Sequence, residues 1–292
     1  MHPKTEKQIA QLIQMACVLE ACAPKPGNVN RRHDFSDTSL EDFLLSAIAV
    51  GPAFENASQT TVGQIILDAV TETRQRVQSN TNLGMILLLA PLAKACSGVT
   101  NADSIRPNLS RILNSLTVED ARRAYAAIRH AQPGGMGKVL QSDIAEMPSI
   151  TLLQAMALAQ NRDSIAREYV TGFSITFDIG LPAMNEALSR SGNLSDATVQ
   201  AFLAVLSTVP DTLIARKKGN EAARKASQLA ARVLAKGGVF TREGQDALAE
   251  MDGVLRDNEH MLNPGTTADL TTAALFLALF GGSSGTTPLS IA

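Results

Sequence analysis

A chain of 292 residues with a formal net charge of −2, 45% hydrophobic and 18% charged residues has an ordinary globular composition, long enough for one large domain or two small ones. The near-neutral charge excludes a general nucleic-acid or membrane-surface binder, which would need a basic excess. With 4% aromatics and no Trp, the core must be built mainly from Ala, Leu, Ile, Val and Met.

Helical periodicity dominates from the start. Ile9, Leu12, Ile13, Ala16 and Leu19 share one helix face, and the pattern stops at Pro24-Lys25-Pro26-Gly27, where two prolines and a glycine cannot continue it. A second helix is expected from Thr38, with Glu41 three residues on as a capping box. Further helices are expected from Thr60, Leu83, Val118, Ser149, Asp163, Ser195, Gly219, Thr241 and Thr266, several of them opening on Ser, Thr or Asp caps. One stretch, Phe173 to Phe177, has β character, but it is short and lies between Gly172 and Gly180, so it reads as helical or irregular. No alternating strand pattern repeats. The expected fold is all-α, a single multi-helix domain over residues 1–292, with residues 131–147 the best candidate for an internal boundary.

The polar start, residues 1–14, does not suit a signal peptide, and the apolar stretches 86–95 and 270–280 are too short to span a bilayer. A cytoplasmic protein that engages neither membrane nor nucleic acid is expected. Cys17, Cys22 and Cys96 form no C-x-x-C and read as reduced thiols.

Familiar catalytic motifs fail residue by residue. A P-loop ending at Gly137-Lys138 would need glycine where Gln132 stands. Gly135-x-Gly137 has Leu140 where a dinucleotide fingerprint needs its third glycine, and His2, His33, His130 and His260 lack ligand spacing. Neither a zincin helix nor a nucleophile elbow is present.

Five polar or glycine-rich clusters remain. The first runs from Glu20 through Pro24-Lys25-Pro26-Gly27-Asn28 to Arg31, Arg32, His33 and Asp34. Pro26 holds Lys25 extended, Gly27 permits a sharp turn or a close ligand approach, and Glu20 sits at the unfavourable end of a helix dipole. The second is Asn80-Thr81-Asn82-Leu83-Gly84, suited to helix capping or to a phosphate. The third is the loop from Gly134 through Gly135 and Gly137 to Lys138, a backbone nest for an anion or a plain surface loop. The fourth is Asp211-Thr212, where a helical turn is expected to begin after Pro210, followed by Arg216-Lys217-Lys218-Gly219, a phosphate clamp or a solvated basic face. In the fifth, Asn263-Pro264-Gly265-Thr266-Thr267-Ala268-Asp269, Thr266 suits an N-cap and Asp269 falls in the first turn, within reach of a nucleotide-borne Mg²⁺. Together these residue types are what a Mg-polyphosphate ligand requires.

In order along the chain, the clusters resemble the motifs of the triphosphoribosyl-dephospho-CoA synthase family. Glu20 with Pro24 to Gly27 is similar to its N-terminal signature, Asn80-Thr81 with Gly84 to its Thr-rich motif, and Pro133 to Gly137 to its glycine loop. Asp211-Thr212 with Gly219 resembles its Asp-Thr motif, and Pro264-Gly265 with Ala268-Asp269-Leu270 its C-terminal signature. The resemblance implies an all-helical, ATP-dependent transferase in prosthetic-group biosynthesis. Its reference reaction joins the ribose carbon of ATP to a ribose hydroxyl of dephospho-CoA and releases adenine.

The resemblance implies Glu20 or Asp211 at the sugar or its nucleophile, and Asp269 on Mg²⁺. It implies Lys25, Gly27, Asn28, Arg31, His33, Thr81, Asn82, Gly135, Lys138, Arg216 and Lys217 as substrate- and phosphate-binding residues. The implied partners are ATP and a phosphorylated acceptor, dephospho-CoA in the reference case, with homodimerisation left open. Three departures set this chain apart. Asn82-Leu83 stands where the characterised family has His-Lys, Asn28 to Phe35 replaces a Gly-Ala-His segment, and Leu213 replaces an Asn. They leave open another acceptor, of the pterin or furan one-carbon type, or a nucleotide-binding protein without catalysis.

Overall fold

The structure, a computed structural model, describes residues 3–132, 147–257 and 259–282. The candidate boundary loop, with Gly135 and Lys138 in it, lies mostly outside the described residues. In chain order the helices are α1 (Glu6–Cys22), α2 (Leu40–Ala49), α3 (Gly51–Phe54), α4 (Val62–Arg74), α5 (Leu83–Cys96), α6 (Ile105–Asn114), α7 (Val118–Ala131) and α8 (Leu152–Ala159). They continue with α9 (Ser164–Thr171), α10 (Leu181–Ser191), α11 (Leu194–Thr208), α12 (Thr212–Lys218), α13 (Asn220–Ala235), α14 (Arg242–Leu255) and α15 (Gly265–Gly282). No strand occurs among the described residues, where one isolated bridge pairs Asn30 with His33, so the fold is all-α as expected.

The chain falls into two compact units, each discontinuous in sequence. Among the described residues, the first unit holds the chain up to residue 17, residues 41–173 and the last turn of α15; the second holds residues 18–40 and 174–278.

In the first unit α5 is apolar all round, with every residue from Leu83 to Cys96 buried except Gly84 and Lys94. Such a helix has no solvent face to offer and becomes the centre of its unit. Tyr169 of α9 is wholly buried and donates its hydroxyl to the Leu87 carbonyl at 2.6 Å, which answers the polar atom its burial would otherwise strand. Where α4 begins, a Cβ on Gly63 would stand 2.5 Å from the Asp120 Cα, so glycine permits α4 and α7 to touch backbone to backbone.

The second unit is organised around α11, α13 and α14. Phe202, Leu203 and Leu206 of α11 meet Ala223, Ala226, Ala230 and Val233 of α13, while Met251 and Leu255 come from α14 and Ile214 from α12. The spacing of the α13 residues, 3, 4 and 3 apart, keeps small side chains on one face and lets neighbouring helices approach. The Phe173–Phe177 stretch is irregular helix rather than strand. Phe173 takes φ +60°, and Thr176–Gly180 forms a π turn that leads into α10.

Most helix starts fall within three residues of their expected positions. α5 and α7 begin at Leu83 and Val118, and Thr61, Asp163 and Thr241 cap α4, α9 and α14. Two starts differ in their chemistry. α2 opens at Leu40, whose N–H donates to Asp34 Oδ1 at 2.8 Å, and α15 opens at Gly265, which places Thr266 inside the helix rather than at its cap. Three helices, α3, α6 and α10, were not expected. No single helix among the described residues is long and apolar enough to cross a membrane. Cys17 and Cys96 are buried, Cys22 is half-buried, and none of the three is in a disulfide among the described residues.

Candidate functional site

The first, fourth and fifth clusters all lie in the second unit, and the structure ties them together. The chain leaving α1 turns at Gly27, whose φ of +73° suits glycine alone. A Cβ at Gly27 would stand 2.8 Å from the Leu255 Cβ and 3.1 Å from the Pro264 Cδ, so the turn packs on the end of α14 and on the loop before α15. The Gly27 N–H donates to Asp252 Oδ1 at 2.8 Å. Arg256 Nε donates to Asp252 Oδ2 at 2.8 Å, and Arg256 Nη2 donates to the Asn28 carbonyl at 2.9 Å. Asp252 in the last turn of α14 and Arg256 just past its end thus clamp both sides of the Pro-Gly turn. Of the two alternatives expected for Gly27, the sharp turn is present, and it brings the glycine close to Leu255.

Lys25 and Glu20 form a buried ion pair, with Nζ 3.1 Å from Oε1 and both side chains at most 2% exposed. The Lys25 ammonium also donates to the backbone carbonyls of Glu20 and Ala23 at the end of α1, which accept the N–H groups of Ala23 and Lys25 as well. A cation at this negative helix end explains why Glu20 is tolerated there. Burial raises the Glu20 carboxyl above the ordinary carboxylate range, and Lys25 pulls it partly back. Lys25 is therefore spent inside the fold, not held out toward a phosphate. Asn28 is buried and donates to the Pro26 carbonyl at 3.2 Å, while Arg31 and His33 are exposed, the His33 Nε2 3.9 Å from Asp252 Oδ2.

Asp211 is 1% exposed and joins two helix starts. Its Oδ1 accepts from the N–H groups of Leu213 and Ile214 at 2.8 and 3.0 Å, capping α12. Its Oδ2 accepts from Thr267 N–H and Oγ1 at 2.7 and 2.8 Å, satisfying the first turn of α15. Burial pushes the carboxyl pKa up and these four donors oppose it. With four donors on it, the carboxylate has no acceptor position aimed at a sugar. In this structure Asp211 serves as a double cap.

Beyond Asp211, Arg216 and Lys217 are half-buried and Lys218 is exposed. Lys217 Nζ donates to the His260 carbonyl at 3.1 Å, and burial lowers its pKa, against the pull of Asp37, Asp257 and Asp211. His260 itself has φ +52°, stacks on Phe35 at 4.0 Å between ring centroids, and accepts the Ser36 N–H on Nε2 at 3.2 Å. The loop carrying Arg31 and His33 is thereby fastened beside the basic end of α12. Asp269 is half-buried in the first turns of α15. Among the described residues no group of three or more His, Cys, Asp or Glu side chains could hold a metal. A Mg²⁺ here would be one carried by a nucleotide and met by one or two carboxylates, the usual mode for this ion.

The second cluster belongs to the first unit. Thr81 and Asn82 are buried: Thr81 Oγ1 lies 2.6 Å from Ser46 Oγ, and Asn82 Nδ2 donates to Thr73 Oγ1 at 3.1 Å. The cap on α5 comes from Asn80, whose Oδ1 accepts the Leu83 N–H at 3.3 Å.

Over residues 6–287 the chain matches the family described as ATP:dephospho-CoA triphosphoribosyl transferase. The chain belongs to this family. A Pseudomonas fluorescens protein bearing the name 2-(5''-triphosphoribosyl)-3'-dephosphocoenzyme-A synthase is 27% identical, with 94% of this chain and 92% of that one aligned. A Klebsiella pneumoniae protein of the same name is 30% identical over 111 residues, covering 38% of this chain and 39% of that one. The crystal structure of an Archaeoglobus fulgidus protein named for triphosphoribosyl-dephospho-CoA synthase superposes with a TM-score of 0.62 at 29% identity, covering 82% of this chain and 99% of that one. The expected family, all-helical fold and transferase class are thus confirmed.

The family motifs absorb Gly27, Lys25 and Asp211 as residues that shape the site. Asp252, Arg256 and His260 went unrecognised in the sequence. Asp252 and Arg256 had a faint signal, an acid-base pair at i,i+4, whereas His260 acquires its neighbours only through folding.

Proposed function

We propose that the chain transfers the triphosphoribosyl group of ATP to a ribose hydroxyl of dephospho-CoA, as its family description states. The C1′–N9 bond of ATP breaks and adenine departs. The acceptor hydroxyl oxygen bonds to C1′, and its proton leaves with adenine. Such a step passes through a cation-like sugar carbon and needs cations on the triphosphate. The reading rests on one observation above all: the Pro24–Gly27 turn, the basic end of α12 and the start of α15 are joined in one unit of a chain that matches this family along its length.

Lys217 and Arg216, with Arg31 on the loop fastened beside them, are the cations that meet the triphosphate, and His33 of that loop is a further contact to it. Asp269 faces the Mg²⁺ that ATP carries. Lys25 with Glu20, and Asp211 with Thr267, hold these elements in place without touching substrate. Gly135 and Lys138 remain candidates for the phosphate by resemblance alone.

The test is incubation with Mg-ATP and dephospho-CoA, with adenine and product followed by chromatography and mass spectrometry. One adenine released per triphosphoribosyl product is expected, and no adenine above the ATP-only background would refute the reading. A second reading, the same chemistry on another acceptor, draws support from Asn82 and Leu83, which are buried and bring no charge where the family has His-Lys. Adenine release with a pterin- or furan-type acceptor and none with dephospho-CoA would favour it. Tight ATP binding without turnover would point to a non-catalytic nucleotide-binding protein.

A further inference from the structure

The second unit has another concavity that none of these roles uses. It is an open groove between α13 and the end of α14, with a volume of about 320 Å³. Its apolar lining comes from Ala222 and Leu229 on α13, Val254 and Leu255 on α14, and Leu262 beyond, and Lys218 also lines it, its ammonium 3.9 Å from a Glu259 carboxylate oxygen. Two of these residues are shared with the site above. Lys218 ends the basic run of α12, and Leu255 is the side chain on which the Gly27 turn rests. The groove therefore begins where the phosphate-binding cations end.

Its size and chemistry limit the occupant. About 320 Å³ is at the small end of ligand pockets. A protein interface would need a broad apolar patch, yet Val254, 57% exposed, is the one exposed apolar side chain of the lining. The lining also includes the Glu221–Lys225 ion pair of α13, 2.8 Å between charged atoms. A mainly apolar lining that also holds an ion pair and a lysine from the basic run of α12 suits an uncharged chain, part alkyl and part amide, with phosphate at its head. We infer that this groove receives the pantetheine arm of the acceptor, with the attached phosphate at Lys218. The inference rests on the acceptor being dephospho-CoA or a close relative, and it makes the arm a determinant of acceptor choice.

The groove can be tested without turnover. 4′-Phosphopantetheine has the arm and its phosphate but no adenosine, so its binding to the full chain, measured by titration calorimetry, reports on the groove alone. Val254→Glu puts a charge on the lining, and Ala222→Phe fills the groove. Both should weaken 4′-phosphopantetheine and dephospho-CoA about tenfold or more, roughly the effect of losing one good apolar contact. Mg-ATP affinity should stay unchanged, which also confirms that the variants fold. The inference is overturned if 4′-phosphopantetheine does not bind, or binds both variants as tightly as the parent chain. It is equally overturned if the variants convert a dimer to a monomer and leave that affinity intact, since a second copy then fills the groove. Absence of adenine release, with groove-dependent binding preserved, would sink the transferase reading and leave the groove assignment standing.

Discussion

Lys217 is the residue whose charge the proposed chemistry depends on most, and its surroundings make that charge conditional. Burial lowers its pKa from the ordinary lysine value of 10.5. Asp37, Asp257 and Asp211 oppose the shift and Arg216 adds to it. Between the folded pKa and 10.5 the unfolded chain holds a proton that the folded chain has released, so across that window this group makes stability rise with pH. Nucleotide affinity should move the opposite way, because the ammonium that would face the triphosphate is lost as pH climbs through the same window. Fluorescent-ATP titrations at increasing alkaline pH should show weakening affinity for the parent chain. Lys217→Arg, charged throughout, should flatten the profile. Identical profiles would remove Lys217 from the phosphate site.

At the scale of elements, the two units share one device: a buried aspartate that satisfies its own helix start and that of a neighbour. Asp120 accepts from Thr117 N–H at 2.9 Å and, on its other oxygen, from the Gly63 N–H of α4 at 2.8 Å, as Asp211 does for α12 and α15. Asp211→Asn replaces an oxygen that accepts two bonds with an amide that can accept none, leaving buried donors facing a donor. The expected cost is about 2–4 kcal/mol in urea unfolding, since hydrogen bonds to a charged group and an unsatisfied buried donor each weigh at this level. ATP affinity should fall with it, because α12 loses its fixed position. A variant of unchanged stability would return Asp211 to the list of groups free to act on substrate.

Local capping chemistry explains which helices were legible. Starts with a Thr or Asp cap were read from the sequence to within a few residues, because the cap and the apolar period are both local signals. The helices that escaped, α3, α6 and α10, each carry a proline in the first three positions, Pro52, Pro107 and Pro182. Proline reads as a breaker in a scan, yet at a helix start its missing N–H had no intrahelical acceptor to lose. The partner of Asp211 escaped for a different reason, since Thr267 lies 56 residues away and no local pattern announces a cap supplied by another helix.

For the whole molecule, motif order along the chain revealed the family, while the roles inside the motifs depended on packing. Sequence could propose Lys25 and Gly27 as ligand contacts because lysine and glycine in a loop suit a phosphate. Only folding shows that the lysine closes α1 and that the glycine clears Leu255. The same logic applies to Asn82-Leu83, which replaces the His-Lys of the characterised family. Leu83 is 7% exposed and Asn82 5%, with the Asn82 amide bonded to Thr73. This chain has built the departure into the packing of its first unit, so restoring the family residues should not restore anything. Leu83→Lys would bury an ammonium without a partner, at a cost on the order of 3 kcal/mol, or force it to lose its proton. Thermal unfolding of Asn82→His/Leu83→Lys should therefore begin several degrees lower, with no gain in adenine release from Mg-ATP and dephospho-CoA. If the double variant instead keeps its stability and turns over faster, these positions face substrate, and the natural Asn-Leu pair marks a chain that has moved away from the family acceptor.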